Sequence, residues 1–408
     1  MSLARCLVLA SLVFSFGASV VRANTYVVGV SPAPGIDFTT IQAAIDAASP
    51  NDTILVRPGQ HTAFNLTKPL RILGQGPGFL LVNGQSTVSN IGSGQTAVIA
   101  DLTFNQLDFP SLMISTCAGA VIGDGLDVLG GLRVVGSSDV RLRDFSSASL
   151  GTALLVESSR VELAASSLLG GSGLNLLCAQ VGTAGAGRAP VVVTSGEIHL
   201  ARTTLYGGRG GDATCAIPGL CGADAGPGGY GLFLGPGASA LVTGISTDVI
   251  VGGSGGISDC GLTGATVAGV YLSAGANLRY SGVTITGIDN QGGAVLSPPA
   301  LDPSVVMLET PHPGSNLTLR VTGTPGSQVS VRFGREPQLV LVPGLEEDFL
   351  TTSLRTINLP LIPASGTIGM NVSLPANYPK GVFFVAQAFE TRLDTSVART
   401  NSIPIVLR

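Results

Sequence analysis

The chain has 408 residues, enough for two or three domains, with 57 glycines, no tryptophan and only 11% charged residues. That balance is too apolar for a disordered chain, and the glycines keep no strict period of three, which excludes collagen. A net charge of −4, with lysine only at Lys68 and Lys380, gives no surface for tracking phosphates, so no nucleic-acid partner is expected.

Residues 1–23 read as a signal peptide: a basic start, the apolar run "CLVLASLVFSFGASVV", and Val21 and Ala23 placed as a cleavage site requires. The expectation is a secreted or cell-surface protein. No later run is long enough to span a membrane as a helix, and the missing aromatic girdles argue against an outer-membrane barrel.

"DFTTIQAAIDAASPNDTILVRPGQH" (residues 37–61) reads as one short helix, a turn and a strand. Ile41, Ala44, Ile45 and Ala48 fall on one helical face, with Thr39 and Gln42 as a capping box, and "TILVRPG" has the β-branched content of a buried strand. In "IGDGLD", Asp124 and Asp127 form a carboxylate pair that could serve acid–base chemistry, although Gly-Asp turns favour these residues anyway.

Five segments then align, starting at Leu132, Leu154, Val191, Leu232 and Val270. Each is three short strands joined by small-residue turns, the first pair 22 residues apart and the later pairs 37, 41 and 38. The excess is three glycine-rich insertions, 170–190, 207–230 and 252–268, each after the third strand, so they should leave one corner of successive coils. This predicts a right-handed parallel β-helix over 24–297, with the opening helix plugging its N-terminal end.

The first coil, with "DTILVRPGQH" followed by "LTKPLRILGQGPG", resembles that of pectin-lyase-like β-helix proteins, a group that includes polysaccharide-active enzymes. The resemblance implies the fold. It does not carry the activity, because the Trp-Ile-Asp-His strand of pectate lyases, the Gly-His-Gly motif of polygalacturonases and the Gly-x-x-Asp-Phe-Ile-Phe segment of pectin methylesterases are all absent.

In the second strand of the repeats, Val140, Val161, Ile198, Leu241 and Leu278 align as an inward column. Asp139, Arg160 and Glu197 then fall in one outward column, and Arg141, Glu162 and His199 in the next. At about 4.8 Å between coils, alternating charges form a ladder that fixes register. It could instead be a shallow site for a charged glycan with Glu162 and His199 as acid and base. His61, His199 and His312 show no metal-ligand spacing.

Each glycine-rich loop places a cysteine eight residues after its first glycine, at Cys178, Cys215 and Cys260, and Cys221 adds a fourth. In an oxidising compartment two disulfides among these four are expected, with bridges between adjacent loops preferred and three connectivities open. Cys117 is left over as a small buried hydrophobe. "GGRGGDATC" also approaches the nonapeptide of calcium-binding β-rolls, which makes Asp212, Asp224 and Asp259 candidate calcium ligands, although tandem copies are missing.

"VLSPPALDPS" marks a domain boundary by its prolines, and seven strand-like runs across 298–408 predict a small β-sandwich, with capping of the solenoid's C-terminal end as its simplest role. Two functions remain open. One is a structural, adhesive or polymer-binding module on a rigid rod. The other is a carbohydrate-active enzyme (lyase, hydrolase or esterase) acting on an acidic polysaccharide.

Overall fold

The computed structural model describes residues 23–75, 80–147, 149–177, 182–214, 223–259, 261–297, 302–307, 311–334, 337–340, 349–351, 355–374, 376 and 383–407. Residues 1–22, nearly all of the segment expected to be a signal peptide, and the loop cysteines Cys178, Cys215, Cys221 and Cys260 lie outside them.

Residues 25–296 wind as a parallel β-helix of three long sheets. Sheet A has eleven strands, from Thr25–Val28 to Ala294–Leu296; sheets B and C have nine each, ending at Thr284–Ile285 and Ile288–Asn290. A typical coil runs from Leu154–Glu157 in sheet C through Ser159–Ala164 in sheet A to Ser167–Leu169 in sheet B. Inward side chains stack coil on coil into one apolar core, as with Val140, Val161, Ile198, Ala240 and Leu278.

That column corrects the sequence alignment at one coil. Ala240, not Leu241, pairs with Ile198 and Leu278 and points inward, while Leu241 joins the outward column between His199 and Arg279. Leucine's hydrophobicity suggested the wrong face, and in a strand a slip of one residue reverses the facing of each side chain.

The corners are single residues in the left-handed region. Between sheets A and B these are Asp101, Gly125, Asp144, Ala165 and Arg202, with φ between 50° and 62°; between C and A they are Asn90, Thr116, Gly136 and Ser158, with φ between 47° and 58°. One such residue turns the chain sharply, and stacked bends share the cost because each corner N–H donates to the next coil, as Asp144 does to Ala164 and Ala165 to Ala201. Behind the second corner a serine ladder repeats this: the N–H of Cys117 donates to Ser137 Oγ, and that of Ser137 to Ser159 Oγ.

The helix, Ile41–Ala47, buries Ile41, Ala44 and Ile45 in the solenoid core beside Val28, Ile54 and Val56, the plug position expected of it. Its N-cap is Thr40 rather than Thr39: Thr40 Oγ1 accepts from the N–H of Ala43, and Gln42 instead accepts from the N–H of Asn65. At the other end the Lys68 ammonium donates to the carbonyls of Ile45, Asp46 and Ala48 at 2.9–3.0 Å, satisfying orphan acceptors with the favourable charge.

The C-terminal residues form a sandwich-like pair of antiparallel sheets. One holds Ser304–Met307, Asn316–Thr322 and Thr367–Ser373; the other holds Arg355–Asn358, Gln328–Gly334, Phe383–Thr391 and Val397–Val406. Leu317, Leu319, Val329, Val331, Ala388, Ile403 and Ile405 fill the space between them. This module does not sit over the end of the solenoid. It lies against the outer face of sheet A, where Phe383 and Val406 pack on Leu73, Val98, Ala100 and Ile122. Capping was the expected role, and the apolar outward residues of sheet A in the N-terminal coils explain the difference: exposed, they would form a patch that needs covering.

Candidate functional site

The charge ladder is where the two modules meet. Register places Arg141 beside Glu162 and Glu162 beside His199, with Arg160 beside Glu197 in the neighbouring column. Arg141 is fully buried; its Nε and Nη2 donate to the two carboxylate oxygens of Asp139 at 2.7 and 2.8 Å. Glu162, 5% exposed, faces the strand Val397–Val406 and accepts hydrogen bonds from both the N–H and the hydroxyl of Ser402. Burial works to raise the Glu162 carboxyl, but Arg141, His199, the Ser402 hydroxyl and Arg160 outweigh it and hold it below its ordinary range. Burial likewise works against the Arg141 cation, and Asp139 and Glu162 outweigh it, so both groups stay charged.

Glu162 is therefore not placed to meet a polymer from solvent. His199 is half-buried next to it, its Nε2 3.2 Å from Thr243 Oγ1, and lines a narrow polar gap with Arg160, Glu197, Leu241 and Arg399. Beside the gap, two open hollows of about 460 and 490 Å³ meet at Glu197, one bounded by Ser239, Asn277 and Arg279, the other by Ser138, Ser158 and Arg160. Two further ion pairs brace the same face: Asp124 with Arg143 at 2.6 Å, which is buried, and Arg279 with Asp302 at the start of the C-terminal module, where the arginine is partly exposed. Asp124 and Asp127 are not brought together. Asp124 faces outward from sheet A against Arg143, while Asp127 in sheet B accepts from the Ser146 hydroxyl.

The glycine-rich loops leave the corner between sheets B and C and fold into two layers. Outgoing arms (170–176, 207–213, 252–258) lie parallel to one another, and returning arms (184–189, 223–230, 262–268) run antiparallel to them. The hydrogen bonds repeat every third residue: the N–H groups of Gly207, Gly210 and Ala213 donate to Val251, Ser254 and Ile257, while Gly208 and Gly211 donate to Arg188 and Gly185, all at 2.8–2.9 Å. Three residues per turn, with bonds to different neighbours, is the polyproline II arrangement of a polyglycine chain. A Cβ added at Gly208 would lie 1.9 Å from the carbonyl oxygen of Gly171, so the arms pack at a distance that only glycine permits.

That packing also accounts for the calcium-like motif. Asp212 is held by Arg209 at 2.6 and 2.9 Å and accepts the N–H of Ile257; Asn175 accepts the N–H of Asp212 in the same way, and Asp224 accepts that of Leu262. The N–H of Asp259 donates to Ala213. The side chains of Asn175, Asp212 and Asp224 thus bind one arm to the next. Among the described residues no group of three or more His, Cys, Asp or Glu side chains is arranged to hold a metal.

Sequence reasoning missed an aromatic cluster on the outer face of sheet C. Phe233 and Tyr271, in adjacent coils, stack with centroids 4.7 Å apart, and Tyr230 lies against Tyr271 at 5.0 Å with its ring tilted by 50°. The Tyr230 hydroxyl donates to Asp289 Oδ2 at 2.7 Å and Gln291 Nε2 to Oδ1 at 2.6 Å. Burial and the bond to Asp289 push the Tyr230 phenol up to about 12. The signal was present at the second position of "LFL" and "VYL", where earlier repeats carry Arg133, Leu155 and Val192.

No family model matches the chain, and no curated protein is similar to it in sequence. No family resemblance therefore supplies roles for these residues.

Proposed function

We propose that the protein is a non-catalytic, polymer-binding rod exported to the cell surface or the extracellular space, its glycine-rich lobe stapled by disulfides among the loop cysteines. The observation that carries this reading is the fate of the ladder's acid–base pair: Glu162 is spent on Arg141 and Ser402 at the contact between modules. The fold contributes rigidity, since each coil is bonded to its neighbours along three sheets, and rigidity favours presenting surfaces over closing around a substrate.

The test is incubation of the purified mature chain with acidic and neutral polysaccharides, with and without calcium, following new reducing ends and unsaturated products. No turnover together with retention on a polymer is the expected result. Depolymerisation that disappears in His199→Ala or Glu197→Gln would overturn the reading and locate an active site in the hollows around Glu197.

A further inference from the structure

Returning arms and sheet C form one continuous outer surface. The hydrogen-bond registers align Ala186, Pro227 and Ala265 in one row and Ala189, Tyr230 and Ala268 in the next; Val192, Phe233 and Tyr271 follow on sheet C, and Asp289 continues that column one coil further. All ten residues are half-buried or exposed. Ala189 and Ala268 stand on either side of Tyr230 in its row, and Tyr230, Phe233 and Tyr271 are all partly exposed. From the coil of Val192 to that of Asp289 is three steps of about 4.8 Å, roughly 14 Å.

Tyr230 is held at both ends, its ring against Tyr271 and its hydroxyl on Asp289. A fixed tyrosine presents an apolar surface with little conformational entropy left to lose, and a carboxylate and an amide stand at its edge as hydrogen-bonding groups. Apolar area beside a few fixed polar groups matches a molecule with a C–H face and a rim of hydroxyls. Each oxygen of Asp289 already accepts one bond and retains a lone pair for a hydroxyl donor, and Gln291 keeps an amide oxygen. Charge selects further, because Asp289 would repel a polyanion and accept from an uncharged polyol.

We infer that Tyr230, Phe233, Tyr271, Asp289 and Gln291 form a binding subsite for a neutral polysaccharide laid along the outer face of sheet C. This rests on the polymer-binding reading and gives it a place and a ligand class. The phenol, with its raised pKa, stays protonated across the physiological range and keeps its bond to Asp289.

The test is retention of the full mature chain on insoluble cellulose and chitin, and affinity electrophoresis in soluble mixed-linkage glucan against polygalacturonate. Wild type is expected to bind at least one neutral polymer more tightly than polygalacturonate. Tyr230→Ala and Tyr271→Ala should each weaken binding about tenfold, the scale of one lost aromatic contact with its buried area. Tyr206→Ala, at an exposed tyrosine of sheet B, should leave it unchanged. Because the chain has no tryptophan, tyrosine emission gives a second readout: glucan should change the emission of wild type, and the change should shrink in Tyr230→Phe. Unchanged affinity in Tyr230→Ala would overturn the subsite and leave polymer binding standing. Preference for polygalacturonate would overturn the ligand class, and failure to bind any polymer would overturn both this inference and the reading beneath it.

Discussion

Replacing Glu162 by Ala removes the carboxylate that accepts from Ser402 and neutralises one flank of the buried Arg141. Breaking a buried charge set by deleting one member costs about 3–5 kcal/mol. The low end, about 3 kcal/mol, applies here because Arg141 keeps its two bonds to Asp139. Glu162→Gln still offers Ser402 an acceptor and should cost less, about 1–2 kcal/mol. Urea unfolding at pH 7 measures both, and limited proteolysis between the two modules reports whether the loss appears first as undocking. The pH dependence has a definite sign. Glu162 has a folded pKa below its unfolded value, so its contribution is fully present above the unfolded pKa, near 4.5, and is lost as pH falls through the lowered folded value. The gap between wild type and Glu162→Gln should therefore be widest near neutral pH and close in strong acid. A cost below about 0.5 kcal/mol for Glu162→Ala, or strict additivity with Ser402→Ala, would refute the contact.

Gly208→Ala should destabilise the glycine-rich lobe by about 1–3 kcal/mol through overpacking, while Ser254→Ala at an outward position stays near neutral; hydrogen exchange of the loop amides separates the two. Phe383→Ala should cost about 3 kcal/mol by emptying the apolar half of the contact and removing the ring under Arg71, read as a lower midpoint and faster cleavage between modules. Lys68→Met keeps the aliphatic stem but gives up three carbonyl contacts at the helix end, so a loss of about 1.5–3 kcal/mol is expected in thermal unfolding. If the proposed disulfides form, intact mass of the chain before and after alkylation, without reductant, should show only Cys117 unpaired among the cysteines of residues 24–408, slow to react because burial raises its thiol pKa.

Local pattern sufficed for whatever repeats at short range. The three-strand coil, the plugging helix and the common corner of the loops follow from apolar periodicity and turn residues, because stacking equivalent coils is the way such a pattern buries its core. The Arg141–Glu162–His199 column was also legible, since parallel neighbours inherit their register from the repeat. Its meaning was not. Ser402 lies 240 residues from Glu162, and no periodicity links a solenoid position to a strand of a separate module. The same holds for Tyr230 and Asp289, joined across an arm of the lobe. Glycine spacing located the loops, but the two-layer packing emerged only when arms from three coils lay side by side and exchanged hydrogen bonds every third residue. At Leu241 the sequence misled, because hydrophobicity names a residue's preference while the bonded register of the neighbouring coils sets its direction. Sequence determined the repeating unit; tertiary structure decided what the outer faces meet, because those contacts join segments whose separation along the chain carries no regular pattern.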